Sequence, residues 1–358
     1  MEQAPIVREY REGDKEGIFA LKQAVGEAPF DEQQWNWKFE NGPIRAAKIF
    51  VATSDDMIVG LRVFIIERLK IMSEFWTTAL GVDIMVHPDF RRYGIAAKVA
   101  QEAFSRMTEE GTHILLGFPN EAAYRVYSRR RSHWRHVCSI PLLAKPLNID
   151  SIFSKYIKNI FLQNLGKLPA RIIYRTFLRE RLHKANDLIL KRVYSFDNRF
   201  DDFWQEASRG YNIGLIRDKK FLNWRFIDKP GEEYVSFSTE KNGKILGYIV
   251  LKNAEMFNLS LGLIVDMLAL TQDNVIDSLI AKAIEHFKDQ KVDVVGCLML
   301  NHTPYFRALK RAGFIVVPKA LSHKEFYFGV QVKPSTISDK IINNPTNWFL
   351  TWGDTDLV

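Results

Sequence analysis

Two stretches hold side chains whose types and spacing suit chemistry. The first is Val82-Asp83-Ile84-Met85-Val86-His87-Pro88-Asp89-Phe90-Arg91-Arg92-Tyr93-Gly94-Ile95-Ala96-Ala97-Lys98. An apolar strand stops at a proline, a short basic turn follows, and small residues open a helix. The first N–H groups of a helix have no intrahelical acceptor and sit at the positive end of its dipole, so such a start binds phosphate. Gly94 and Ala96 let that backbone come close to the anion, and Arg91 and Arg92 add cationic steering. In the second stretch, from Asn120 through Ala123 and Tyr124 to Tyr127, an asparagine leads a helix that carries two phenols. Asn120 also suits a helix cap, a role compatible with ligand binding.

The elements that position these stretches follow from the hydrophobic period. Lys48 to Thr53 and Ile58 to Val63 alternate around the polar turn Ser54-Asp55-Asp56, which reads as a hairpin. A further strand covers Thr77 to Val86, a helix Gly94 to Met107, a short strand Ile114 to Phe118 and a helix Asn120 to Arg131. The same order then occurs again. Phe30 to Phe39, with Trp35 and Trp37, answers to Arg217 to Phe226, with Trp224. Pro43 answers to Pro230, and the hairpin through Gly60 to one through Gly247. The chain is thus a duplicated α/β (α+β) structure. Each copy is a mixed, mostly antiparallel sheet flanked by helices.

The 358 residues, with 47% hydrophobic and 13% aromatic content, suit two globular units and exclude a mainly disordered chain. Cys138 and Cys297 lie far apart without metal-ligand spacing, so no disulfide framework or zinc site is indicated. Met1 to Gly17 lacks the apolar run of a signal peptide. The most apolar window, Leu259 to Leu270, is interrupted by Asp266 and reads as a buried strand. A cytoplasmic location is expected.

The net charge of +8 is concentrated. Residues 151–192 hold ten Lys or Arg against Glu180 and Asp187, in two amphipathic pieces divided by Gly166 and Pro169. This basic helical linker is either a solvated interdomain connection or a surface for an anionic membrane or acidic partner. Nucleic acid is not expected, because no zinc finger, RNP-like string or recognition helix accompanies the charge.

The string Val86-x-Pro88-x-x-Arg91-Arg92-x-Gly94-Ile95-Ala96 resembles the acyl-CoA-binding motif of the GNAT acetyltransferase superfamily, whose core is Arg/Gln-x-x-Gly-x-Gly/Ala. Asn120 to Tyr127 resembles that family's second motif. The resemblance spans about residues 5 to 145, and extends through the repeat to about 195 to 330. It implies that Ile84, Met85 and Val86 pair with the pantetheine arm like an added strand. Arg91, Arg92, Tyr93, Gly94, Ile95 and Ala96 would then cradle the pyrophosphate. A splay between that strand and Ile114 to Phe118 would admit the thioester, and Asn120 would bond the pantetheine. Tyr127 would protonate the leaving thiolate, with Tyr124 as the alternative; a phenol of pKa about 10 is already protonated at neutral pH. Asp83, on the thioester strand, and Glu67, at the end of the preceding hairpin, are the candidate bases.

Copy two departs from this pattern. Val265 to Leu279 has neither the proline nor the Arg-x-x-Gly-x-Ala string, Asp273 and Asp277 stand where a pyrophosphate needs cations, and Leu309 stands where the spacing expects tyrosine. Copy one departs too, with Arg129-Arg130-Arg131 in place of the family's Gly-Phe ending, as a basic extension or a solvated helix end. The expected organisation is an acyl-CoA-binding domain over 1–148, the linker over 149–194, a degenerate GNAT-like domain over 195–330 and a docking tail over 331–358. In that tail Trp348 and Trp352 are too apolar to leave in water. Asp354 and Asp356 would either meet a cationic amine or end an aromatic clamp. The resemblance implies an acetyl-CoA-dependent N-acetyltransferase without metal, with a small amine or amino sugar as acceptor. The alternative is a non-catalytic, CoA-responsive scaffold.

Overall fold

A computed structural model describes the chain except residues 1–4, 29, 129–133, 157–178, 184, 186, 257, 272–273, 320–321, 323 and 358. The Arg129-Arg130-Arg131 run and most of the basic linker therefore lie outside the described residues. Two compact units are present. Unit 1 comprises residues 1–139, 228–231 and 327–347, and unit 2 comprises 140–227, 232–326 and 348–358. Among the described residues no helix is long and apolar enough to cross a membrane.

The sheet of unit 1 is built from β1 (Ile6–Glu9), β2 (Lys48–Ser54), β3 (Met57–Ile71), β4 (Glu74–Val86), β5 (Ile114–Gly117) and β6 (Arg135–Ser139), together with a strand from near the C-terminus. Ser54 pairs with Met57 across Asp55 and Asp56, both at positive φ (45° and 62°). Positive φ at both central residues gives the turn twist that matches a two-residue hairpin. The helix α1 (Asp14–Ala24) packs on β3 and β4. After it come α2 (Glu32–Trp35), capped by the Asp31 carboxylate, and a π turn over Asn36–Glu40.

Helix α3 (Ile95–Glu109) buries Ile95, Val99, Ala103 and Met107, a four-residue spacing that lays one stripe on the sheet against Phe50, Ala52, Val59, Phe64, Ile66, Ala79 and Leu115. It closes tightly at Gly60, where a Cβ would stand 2.8 Å from Ile95 Cγ2. Helix α4 (Glu121–Tyr127) follows β5.

Unit 2 repeats the plan with β7 (Leu142–Pro146), β8 (Ile189–Val193), β10 (Tyr234–Lys241), β11 (Lys244–Met256), β12 (Leu259–Ala269), β13 (Val294–Leu298) and the short β14 (Ile315–Val316), in the sheet order β14-β7-β13-β12-β11-β10-β8; the short strand β9 spans Ile213–Leu215. The helix α5 (Ile149–Tyr156) follows β7, and the later helices are α6 (Arg199–Ala207), α7 (Lys219–Phe226), α8 (Val275–Asp289), α9 (Pro304–Arg311) and, in unit 1, α10 (Asp339–Ile342). The duplication holds in register: Gly60 pairs with Val86 and Gly247 with Ala269, and a Cβ on Gly247 would meet Val275 at 2.9 Å, as one on Gly60 would meet Ile95.

The units do not follow the linear division of the sequence. Strand β7, expected in the first domain, pairs with β13 and β14 in unit 2. Strand β15 (Tyr327–Val332), expected at the junction of second domain and tail, inserts between β5 and β6 in unit 1, giving the order β1-β2-β3-β4-β5-β15-β6. Strand β7 thus serves the second sheet from the first half of the chain, and β15 the first sheet from the second half.

Candidate active site

The site of unit 1 starts at a divergence of strands. Parallel β4 and β5 pair only at Ala79–Leu115, Leu80–Leu116 and Gly81–Gly117, after which β5 ends and β4 continues to Val86. From Val82 to Val86, β4 is laddered to β3 alone, so its other edge has no strand partner among the described residues. A bulge accompanies the divergence: Arg62 pairs with Ile84 and Val63 with Val82, leaving Asp83 as the extra residue with φ 42°. Ile84, Met85 and Val86 lie on this open edge, as the expected pantetheine strand requires.

The edge leads to the phosphate loop. Pro88–Phe90 forms a single 3-10 turn, the Arg91 Nε donates to the Val86 carbonyl at 3.3 Å, and Arg92 (φ 71°) and Gly94 (φ 76°) take left-handed conformations before α3. Arg91, Arg92, Tyr93 and Gly94 are all exposed, and nothing lies within 4 Å of the position a Gly94 Cβ would take. Ile95 is buried and anchors the helix start, and Ala96 is half-buried beside it. An open helix N-terminus with small residues and two adjacent guanidinium groups fits a diphosphate. The residues present therefore suit an acyl-CoA.

The divergence also has a floor. Gly81, Gly117 and Gly329 stand side by side across β4, β5 and β15. Side chains from elsewhere occupy the room these glycines leave. A Cβ on Gly81 would be 2.2 Å from an Arg62 guanidinium nitrogen, and a Cβ on Gly329 would be 2.1 Å from the Trp134 ring. Tyr127, half-buried at the end of α4, joins these two: its ring centre is 5.8 Å from the Arg62 guanidinium carbon and 5.9 Å from the Trp134 ring. Tyr124 instead stacks on Tyr327 at 3.9 Å, packed with Trp134 and His136. The structure thus puts Tyr127 at the floor and Tyr124 in an aromatic cluster. Asn120 accepts the Ala123 N–H at 2.9 Å and caps α4, the role its position in sequence allowed.

The two candidate carboxylates are not brought together. Asp83 sits at the bulge and meets Lys38 of the π turn at 2.6 Å, both side chains 14% exposed. Glu67 is not at a hairpin end. Strand β3 runs on to Ile71, which buries Glu67 mid-strand opposite Thr78. Thr78 and Asp83 are five positions apart on β4, roughly 16 Å at the rise of an extended strand. Glu67 thus pairs with a part of β4 that precedes the divergence.

Sequence reasoning missed Arg62, Trp134 and Lys38. Arg62 carries a weak signal, a charge in the otherwise apolar run Ile58 to Ile66. The glycine row has none, because it depends on the inserted β15.

In unit 2 the equivalent positions are built differently, around a cavity of about 440 Å³ lined by Thr271, Asn274, Asp277, Arg307 and Arg311. The loop between strand and helix shortens from residues 87–94 to 270–274. Side chains of the first turn of α8 are engaged: the His183 N–H donates to Asp277 at 3.0 Å and the Ala185 N–H to Ser278 Oγ at 3.2 Å, while Arg311 holds Asp277 at 2.5 Å. Asp266, the counterpart of Asp83, accepts from Tyr248 at 2.6 Å, Thr351 at 2.7 Å and Arg217 at 3.1 Å, and Arg217 also holds Asp354 at 2.6 Å. Burial pushes the Asp354 carboxyl above its usual value. Trp348, Phe349, Leu350 and Trp352 are buried with them. Asp354 is therefore committed to an internal ion pair and does not face an incoming amine.

Unit 1 thus holds a strand edge opened beside a helix N-terminus, with a phenol at the apex. Residues 6–131 match the acetyltransferase (GNAT) domain family, and this match supports an acyltransferase. No curated protein matches it in sequence. Its fold is similar to a GCN5-related N-acetyltransferase from Anabaena variabilis (14% identity, TM-score 0.64, 92% of this chain and 73% of that one). It is also similar to a probable N-acyltransferase of unknown function from Enterococcus faecalis (14% identity, TM-score 0.62, 92% and 72%). Saccharomyces cerevisiae N-myristoyltransferase with bound myristoyl-CoA aligns over 96% of this chain and 91% of its own (12% identity, TM-score 0.58).

Proposed function

We propose that unit 1 transfers an acetyl group from acetyl-CoA to the primary amine of a small molecule. The observation that carries this reading is the free edge of β4 from Val82 to Val86, which runs from the strand divergence to the open N-terminus of α3. Acyl-CoA supplies an activated thioester carbonyl. The backbone of Ile84 to Val86 pairs with the pantetheine amides, the N–H groups of Tyr93 to Ala96 with Arg91 and Arg92 hold the diphosphate, and Asn120 reaches the arm from the start of α4. Arg62 and Trp134 fill the space over the glycine row at the apex, which restricts the acyl group to a short one.

Asp83 is the proposed base. An acceptor ammonium takes the place of Lys38 beside it, gives up a proton and attacks the carbonyl as the free amine. Tyr127 returns a proton to the departing thiolate. Unit 2, with Asp277 in the first turn of its equivalent helix and Asp266 buried, does not bind a second acyl-CoA. The described part of the basic linker leaves its anionic partner, a membrane surface or an acidic protein, as a proposal resting on composition. Calorimetric titration of acetyl-CoA tests the reading. One site per chain, lost in an Arg92→Glu, Gly94→Asp double variant, agrees with it; no binding to the wild type overturns it.

A further inference from the structure

Arg62 projects from the middle of β3 into the floor of the site and is only 8% exposed. Its Nε has no hydrogen-bond partner, and no carboxylate pairs with it among the described residues. Its neighbours are the faces of Phe64, at 5.0 Å, and Tyr127, at 5.8 Å, and the bare backbone of Gly81. The other deeply buried arginines differ: Arg217 holds Asp266 and Asp354, and Arg225 donates to the Thr355 carbonyl at 2.8 Å and to the Tyr234 hydroxyl. A guanidinium taken from water costs several kcal/mol unless an anion faces it. Aromatic faces offset only part of that. Gly81 makes this placement sterically feasible, since any side chain there would clash with the guanidinium.

We propose that Arg62 binds a carboxylate of the substrate at the apex of the strand divergence. Its planar fork of donors suits a carboxylate, and the rings of Phe64 and Tyr127 flank it, so the charged pair forms with little competition from water. This rests on the reading of unit 1 as an acyl-CoA site and names the substrate class within it. The carboxylate has two sources. It either ends a short dicarboxylic acyl group on the thioester or belongs to an amino-acid acceptor.

The test uses the full chain and two matched pairs of substrates. Succinyl-CoA is compared with acetyl-CoA using one amine, and an α-amino acid with the amine left by its decarboxylation using acetyl-CoA. In one of the two pairs the carboxylate-bearing member is expected to have a kcat/KM about 10- to 100-fold higher, in the range of a charge-assisted hydrogen-bonded pair. The pair that shows it identifies the source. Arg62→Met is expected to abolish that preference, Arg62→Lys to weaken it, and the melting temperature of Arg62→Met to match or exceed that of the wild type, because a buried cation without a protein anion has been removed. Should Arg62→Met fail to fold, wild-type preference and the Arg62→Lys ratios still decide. Acetyl-CoA binding without a preference in either pair, or a preference that survives Arg62→Met, overturns the inference and leaves the acyltransferase reading standing. Absence of acetyl-CoA binding overturns both.

Discussion

Lys38 and Asp83 meet at 2.6 Å at the bulge where β4 leaves β5. The pairing joins the π turn after α2 to the strand that bears the open edge, and it places a carboxylate at the mouth of the divergence. An ammonium already sits where a cationic acceptor would enter. Asp83→Asn is expected to lower kcat/KM by about 100-fold, the scale of a lost general base. Acetyl-CoA affinity should stay within about threefold, since Asp83 is not part of the phosphate loop. Glu67→Gln should lower the melting temperature with kcat nearly unchanged. The reverse pattern in steady-state kinetics would assign the base to Glu67.

Tyr127→Phe removes the phenol and leaves the ring between Arg62 and Trp134. Turnover is expected to fall by about 10- to 100-fold with acetyl-CoA binding intact. Tyr124→Phe should leave turnover unaffected, because that ring serves the stack on Tyr327. Equal losses in the two variants, measured with a thiol-release assay, would rule out the assignment.

Gly94→Ala separates conformation from charge in the loop. At φ 76° a Cβ costs about 1 kcal/mol even though no atom stands in its way. Acetyl-CoA affinity should therefore drop modestly for Gly94→Ala and by more than about 100-fold for Arg92→Glu, Gly94→Asp. The matching change in unit 2, Asn274→Asp, should have no effect on binding by calorimetry.

Lys145 of β7 has no solvent exposure, and burial lowers its pKa to about 8 against 10.5 for an exposed lysine. Between these values the unfolded chain holds more protons than the folded one, so this group makes stability rise with pH through that window. Lys145→Met is expected to raise the melting temperature at pH 7, and the gap to the wild type should narrow as pH climbs from 8 towards 10.5. A gap constant over that range would contradict the assignment.

Asp354→Ala leaves Arg217 buried with Asp266 alone. Breaking one arm of a buried, hydrogen-bonded ion pair costs about 3–5 kcal/mol. Unfolding by urea should show a loss of that size, and a change below about 1 kcal/mol would mean that the pair is dispensable.

Much of unit 1 was legible in sequence because its signals are local. The alternation of Ile58 to Val63, the proline after Val86 and the small residues of Gly94 and Ala96 each act within a few positions. The strand, loop and helix they define stand where they were expected. What stayed hidden depends on distant partners. Glu67 read as a strand end because the charges from Glu67 to Lys70 break the apolar pattern, yet the ladder to β4 carries β3 on to Ile71. Asp354 read as an acidic end because nothing near it in sequence shows Arg217 waiting 137 positions upstream. The insertion of β15 also left no local mark, and with it went the glycine row and the setting of Arg62.

The placement of β15 has a consequence for how the molecule comes into being. A ribosome releases β5 and β6 long before β15, and the position between them stays vacant until residues 327–332 appear. The apex glycines Gly81 and Gly117 are thus without Gly329 through the synthesis of almost all of unit 2. A nascent chain halted before Tyr327 should be unable to complete the sheet of unit 1, and the proposed acyl transfer waits on the synthesis of β15.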